Sequence, residues 1–421
     1  MKVRGSLFTT ITAIGRDRRA NVAVTFAVAL IPIVGFVGVA IDYSMASRQR
    51  AKIQSALDEA LLAGSIAGKA ALDSGSGSTA AIAAAKNAAN AFFTGNTVGV
   101  TSQLTIDYAM NGLTLTGSGT ATGAVPTNFS SVLGFSNLNL SVASTSNANT
   151  QPYVNVYLLV DISSSMLLPS TPAGITQMVN GTGCALACHE KTDGTDSYSY
   201  ALNQGIELRY QVVNKGIQNL LTYLNGSSTY KTFVKVGLWS FDSSLTKLSH
   251  PTSNFKTVAN KFPAPGLASD DAAAATPFDD LISSFVSTVG TAGDGSSSGS
   301  PQKMVIIATD GVNDPTRAWT TQTSLRSQVR VFDTSFCSSF KANGVTVAII
   351  NTPYYPMPWD WGYAATLGQS GSLGGATRVD DIPIALKACA GDNFIQAPDV
   401  ATIESGFTFL FNKASPIRLT N

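Results

Sequence analysis

The sequence predicts an α/β protein in which an N-terminal transmembrane helix leads into a small α+β segment and then into a doubly wound, mostly parallel α/β domain. Three observations predict it. An uncharged apolar run of about 22 residues, Ala20 to Ile41, is long enough to cross a hydrocarbon core of roughly 30 Å as a helix. Short alternating patterns fill Val98 to Ala148. Beyond them, apolar runs of strand length alternate with helical stretches, the order expected of a parallel sheet covered on both faces. The implied divisions are a cytoplasmic N-terminus over 1–19, the transmembrane helix over 20–41, a helix with a small antiparallel sheet over 42–150, and the α/β domain over 151–421, with an insert at 167–200.

Composition narrows the function classes. The 421 residues are 44% apolar and only 13% charged, with Gly, Ser, Thr and Ala frequent, which fits an exported surface better than a cytosolic enzyme. Formal net charge is +1 and no long Lys/Arg run follows the N-terminal cluster, so no nucleic-acid partner is expected. Four cysteines, Cys184, Cys188, Cys337 and Cys389, are compatible with two disulfides in an oxidising compartment.

Lys2, Arg4, Arg16, Arg18 and Arg19 precede the apolar run and only Arg48, Arg50 and Lys52 follow closely. The positive-inside bias then places the N-terminus in the cytoplasm and exports the rest. A cleaved signal peptide is the alternative, given Gly38-Val39-Ala40 near the end of the run, and it exports the rest equally. Pro32, mid-run, is tolerated in a membrane helix. From Ser47 to Asn90 the chain is Ala-rich and free of Pro, and Ile53, Ala56, Leu57, Ala60, Leu61 and Gly64 form a stripe at helical spacing, expected to pack on the segment that follows. SQLTIDYAM, GLTLTGSGTATG and LNLSVASTS read as short strands. A long helix half in a membrane followed by a small antiparallel sheet is the layout of pilins.

In the C-terminal half, Tyr153 to Val160 (YVNVYLLV) is a buried strand that delivers Asp161-Ile162-Ser163-Ser164-Ser165 at its C-terminal edge, where open α/β sheets bind ligands. Asp161, Ser163 and Ser165 form D-x-S-x-S, one carboxylate and two hydroxyls in a tight loop. These hard oxygen donors suit Mg²⁺, Ca²⁺ or Mn²⁺. Further strands are predicted at Val234–Phe241, Lys303–Gly311 and Val345–Thr352, and helices near Gln204–Leu224, Pro277–Val289, Ser324–Ala342 and Val400–Lys413. No nucleophile, general base and orienting group assemble around the loop, and the chain has two histidines, His189 and His250, so an enzyme is not expected. Tyr354 to Gly375, aromatic then Gly-rich, reads as a long surface loop.

Two resemblances add to this reading. The segment RANVAVTFAVALIPIVGFVGVAIDYSMASRQRAKIQSALDEALLAG, with Asp42-Tyr43 after the apolar run, then the Arg-rich turn and Gln54, Leu57, Asp58 and Ala60, resembles the N-terminus of TadG-type proteins of the Tad (Flp) pilus system. Within the closing Pro416-Ile417-Arg418-Leu419-Thr420-Asn421, the run Arg418-Leu419-Thr420 is similar to the same family. Partners implied are other pilus-assembly proteins. No Glu lies in the first turns of the run, so prepilin-type cleavage and polymerisation are not implied.

From Tyr153 onward the chain resembles the von Willebrand factor type A (vWA) family. Its metal-ion-dependent adhesion site joins D-x-S-x-S to a distant Thr and a distant Asp. Carried across, the ligands are Asp161, Ser163, Ser165, Thr276 of AAAATPFDDL and Asp310 of IIATDGVND, with alanines where the family usually has glycines before the Thr. The resemblance implies a cation with an open position completed by an acidic residue of a partner protein or surface ligand. An idle metal site on a structural scaffold is the alternative. Asp279 and Asp280, at the start of a helix, are explained by its dipole.

Cys184-Ala-Leu-Ala-Cys188-His189 carries one residue more between its cysteines than the C-x-x-C-H of covalent haem attachment. A local disulfide, haem, and a zinc site short of a fourth ligand stay open, the disulfide being simplest. A Cys337–Cys389 bridge would stabilise the domain by roughly 3 to 4 kcal/mol in the chain-entropy model. A buried free pair is the alternative.

Overall fold

The computed structural model describes residues 18–97, 102–183, 186, 197–264, 275–397 and 399–415. Expectations for Lys2, Arg4, Arg16, Cys184, Cys188, His189 and the closing residues 416–421 lie outside the described residues. The chain divides into two compact units, Met1–Thr150 and Gln151–Asn421.

In the first unit, helix α1 (Arg18–Asp73) runs unbroken through Pro32. Its stretch from Val22 is apolar enough to cross a membrane, and Val22, Phe26, Ile31 and Phe36 are all exposed. The helix ends where Gly75 and Gly77 adopt positive φ, and α2 (Ser78–Asn96) then folds back against it. Strands β1 (Ser102–Asn111), β2 (Thr114–Pro126) and β3 (Asn137–Asn149) form an antiparallel sheet in that order. The stripe Ile53, Ala56, Leu57, Ala60 and Leu61 is buried against Ala85, Ala89 and Phe93 of α2 and Tyr108, Leu115, Ala121 and Val142 of the sheet. Each fully buried leucine there contributes roughly 2 kcal/mol. Gly64 lets the sheet come close, since a Cβ there would lie 2.2 Å from the Tyr108 hydroxyl, which donates to the Leu61 carbonyl at 2.7 Å.

The second unit is built on a six-stranded sheet. Its strands are β4 (Val154–Asp161), β5 (Val234–Phe241), β6 (Leu245–Thr252), β7 (Gln302–Thr309), β8 (Thr346–Asn351) and β9 (Phe394–Gln396). They lie in the order β9-β8-β7-β4-β5-β6, all parallel except the edge strand β6. Val154, Val156, Leu158 and Val160 of β4 face one core with α4 (Arg209–Asn225) and α8 (Val400–Ala414). Tyr157 and Leu159 face the other, with α5 (Phe278–Val289), α6 (Phe336–Ala342) and α7 (Arg378–Ala390). Helices thus cover both faces of a mixed, mostly parallel sheet. Helix α3 (Pro172–Thr182), capped by the Thr171 hydroxyl, lies within the insert.

Three local expectations are corrected. The helix expected over Ser324–Ala342 is only Phe336–Ala342; before it lie a 3-10 segment, Thr323–Gln328, and a two-residue strand, Arg330–Val331, paired with Val312–Asn313. Val329, Val331 and Phe332 are buried in the core there, and Asp333 accepts from the Ser335 amide, so packing and a local cap override the helical pattern. The helix expected from Gln204 starts at Arg209, because Gly205 takes a positive φ and Gln211 accepts from the Leu208 amide. The surface loop over 354–375 is only partly one: Tyr354, Met357, Tyr363 and Leu367 are buried, while Trp359 and Trp361 are exposed. Cys337 and Cys389 form a disulfide, Cα to Cα 5.5 Å.

Candidate metal centre

The sheet order fixes where a ligand can sit. From β4 the chain moves outward through β5 to β6, and from β7 it moves the other way through β8 to β9, while β4 and β7 are hydrogen-bonded neighbours. Connections leaving the C-terminal ends of these two strands diverge, which opens the crevice where doubly wound sheets bind ligands. Asp161 ends β4 and Asp310 follows the last residue of β7.

Asp161 is fully buried. Its Oδ1 accepts from the Ser163 amide at 3.0 Å and the Ser163 hydroxyl at 2.5 Å, an Asx-type turn that folds the loop back on the carboxylate. Its Oδ2 accepts from the Thr309 hydroxyl at 2.8 Å. Ser163 and Ser165 hydroxyls are 3.0 Å apart. Asp310, also buried, accepts from the Val312 amide at 3.1 Å and the Tyr354 hydroxyl at 2.8 Å. Asp161, Ser163 and Ser165 thus form one hydrogen-bonded group, and Asp310 with Tyr354 a second.

Asp161, Ser163 and Ser165 are joined by direct hydrogen bonds, and Asp310 lies close enough for its charge to act on Asp161. Thr276 is hydrogen-bonded to neither group: it exchanges amide–carbonyl bonds with Asp314 at 2.6 and 3.0 Å, which sets it beside the loop that follows Asp310. Asp279 is tied to the Asp333 amide at 2.7 Å and faces Arg330 at 3.9 Å, a structural role at the head of α5.

Burial, and then the neighbouring Asp310 charge, push the Asp161 carboxyl up to about 7. A positive charge nearby offsets the cost of burying carboxylates together. One such charge is present. Arg209, 1% exposed at the start of α4, holds Nη1 3.8 Å from Asp310 Oδ2, lies 4.3 Å over the Tyr354 ring, and donates from Nη2 to the Pro353 carbonyl at 2.8 Å. Its Nε and Nη1 are buried without hydrogen-bond partners. Asp314 adds a third acid nearby: its Oδ1 is buried and unpartnered, and burial above all, with the Asp310 charge adding, pushes it up to about 6.

Carboxylate and hydroxyl oxygens are the donors hard divalent cations take, and the donor set fits one. Among the described residues no group of three or more His, Cys, Asp or Glu side chains could hold a metal ion, so any site here depends on hydroxyls as well as acids. Sequence reading missed Thr309, Arg209, Tyr354 and Asp314. Thr309 and Asp314 flank Asp310 at the strand end and were within its reach; Arg209 and Tyr354 carry no local signal.

Residues 20–87 match the family of Flp pilus-assembly TadE/G-like (Tad) proteins. That match supports a pilus-associated protein, and the long apolar helix within it fits a single-pass membrane anchor. Comparison with curated proteins gives no match. Among solved structures, the chain is similar to an aerotolerance-related membrane protein from Bacteroides fragilis, at 14% identity over 62% of this chain and 99% of that one, TM-score 0.34. It is also similar to the PilB minor pilin from Streptococcus sanguinis, at 11% identity over 75% and 78%, TM-score 0.34. Likenesses this remote define neither fold family nor function.

Proposed function

We propose that this chain is an exported component of a Tad/Flp pilus-assembly apparatus, held in a bacterial inner membrane by α1 with its N-terminus in the cytoplasm. Its 42–150 part is pilin-like, and its 151–421 part is a vWA domain that binds partner proteins or a surface ligand through a divalent cation. Asp161, Ser163, Ser165, Thr276 and Asp310 would hold the cation. The observation that carries this reading is the hydrogen-bonded Asp161–Ser163–Ser165 loop beside buried Asp310, at the point where the sheet's connections diverge. Bound Mg²⁺, Ca²⁺ or Mn²⁺ would supply an open position for a partner's carboxylate. The residues are suited to binding rather than catalysis.

One observation favours a second reading. Arg209 already places a positive charge beside Asp310, as expected if the centre is idle and the unit serves as a scaffold or spacer. Co-purification of full-length chain with other pilus-assembly proteins from its native membrane, with Mg²⁺, with EDTA and as Asp161→Ala, separates the two. Cation-dependent association lost in folded Asp161→Ala supports the adhesion reading; association unchanged by EDTA and by the substitution overturns it and leaves the scaffold.

A further inference from the structure

We infer that the β2–β3 connection, residues 127–136 (TNFSSVLGFS), is a second membrane contact that dips into the lipid surface beside the anchor helix. The inference rests on reading α1 as a membrane anchor.

The position of this connection along α1 comes first. Asp42, one residue past the apolar run and 1% exposed, accepts from the backbone amides of Asn128, Phe129 and Ser130 at 3.0, 3.0 and 2.6 Å. One turn earlier, Gly38 meets the Phe129 side chain so closely that an added Cβ would lie 2.5 Å from Phe129 Cβ. Gly38 lies within the apolar run, three residues before its end at Ile41, so at 1.5 Å per residue the contact is about 5 Å inside the exit of the span. That is the depth at which interfacial apolar side chains sit.

The character of the connection comes second. Val132 is 87% exposed, Phe135 63% and Phe129 47%, and the helix beside them exposes Val37 and Ile41. No charged residue occurs anywhere from Ala124 to Asn139. In water this would be an unexplained apolar tip on a small sheet whose other connection is only the two-residue turn Gly112-Leu113; its continuity with the lipid-facing side of the span identifies its occupant. Three amide bonds to one buried carboxylate fix the tip in place.

The rest of the unit supplies a control. Leu115, at the other end of β2, packs against Gly68, 26 residues beyond Asp42, so the β1–β2 turn at Asn111 lies about 40 Å further along α1. A tip in lipid and a turn in water are thus expected from one rigid unit.

The test uses full-length chain reconstituted in phosphatidylcholine vesicles with and without lipid brominated near the top of the acyl chain. Added tryptophans are read as the difference from wild type, whose four native tryptophans are common to all variants. Val132→Trp and Phe135→Trp are expected to be quenched at least half as strongly as Phe36→Trp in the span, and Asn111→Trp not at all. Quenching of Phe36→Trp with none at Val132→Trp or Phe135→Trp overturns the inference alone and assigns the tip to a protein partner. Absence of quenching at Phe36→Trp as well overturns the membrane anchor and the inference with it.

Discussion

Asp42 in the first unit and Asp161 with Asp310 in the second are all buried carboxylates, but they are satisfied in opposite ways. Asp42 accepts three backbone amides, donors that cannot leave, and so fastens the 127–136 connection to the anchor helix. Asp161 is held by two hydroxyls and one amide, and Asp310 by one amide, one phenol and a guanidinium 3.8 Å away. Hydroxyl hydrogens rotate, and the same oxygens that donate to a carboxylate can turn lone pairs to a cation. A carboxylate pinned by amides is architecture; a pair of carboxylates ringed by hydroxyls is a place where positive charge can be exchanged.

That contrast is most sharply broken at Arg209. Arg209→Met leaves Asp310 buried without its guanidinium, and about 3 to 5 kcal/mol of cation-free stability is expected to go. Thermal unfolding in detergent should show the loss and its partial recovery in saturating Mg²⁺. A loss indifferent to Mg²⁺ would make Arg209 a packing residue only. Asp42→Ala should cost about 3 kcal/mol, because three amides lose one acceptor. Hydrogen exchange would show the amides of 128–130 losing protection equally with and without divalent cation; retained protection would remove Asp42 from the architecture.

Smaller effects sharpen the comparison. Wild type should gain about 2.7 kcal/mol from Mg²⁺ at a hundredfold excess over its dissociation constant, and Asp161→Ala should gain nothing, as shifts in unfolding midpoint would show. An equal gain in both would place the cation elsewhere. Thr309→Val, which removes the hydroxyl that donates to Asp161 and accepts from the Gly311 amide, is expected to cost about 2 kcal/mol of cation-free stability. A collapse of the fold would show that Thr309 holds the strand end itself.

What the sequence made legible follows from local signals. The buried strands β4, β5, β7 and β8 are continuous apolar runs, and a carboxylate or Ser-rich loop at the end of such a run marks the ligand-binding edge without knowledge of the partners. Edge strand β6 (LTKLSHPT) escaped because it is polar and contains Pro251, tolerated where an amide faces solvent. Helix α7 escaped because Pro383 interrupts its pattern. Arg209 and Tyr354 meet Asp310 only after residues far apart in the chain are brought to one sheet edge, and Tyr354 sits in an aromatic stretch with no periodicity to mark it as buried. The role of Asp42 was hidden for the same reason, since its three amide partners lie more than eighty residues away.

The claim that the Asp161–Asp310 centre takes a divalent cation is tested most directly by calorimetric titration of Mg²⁺, Ca²⁺ and Mn²⁺ into the detergent-solubilised full chain, wild type beside Asp161→Ala. Saturable binding of one cation per chain in wild type, absent from a folded Asp161→Ala, is the predicted result. Absence of binding in wild type, or equal binding in both proteins, would contradict it.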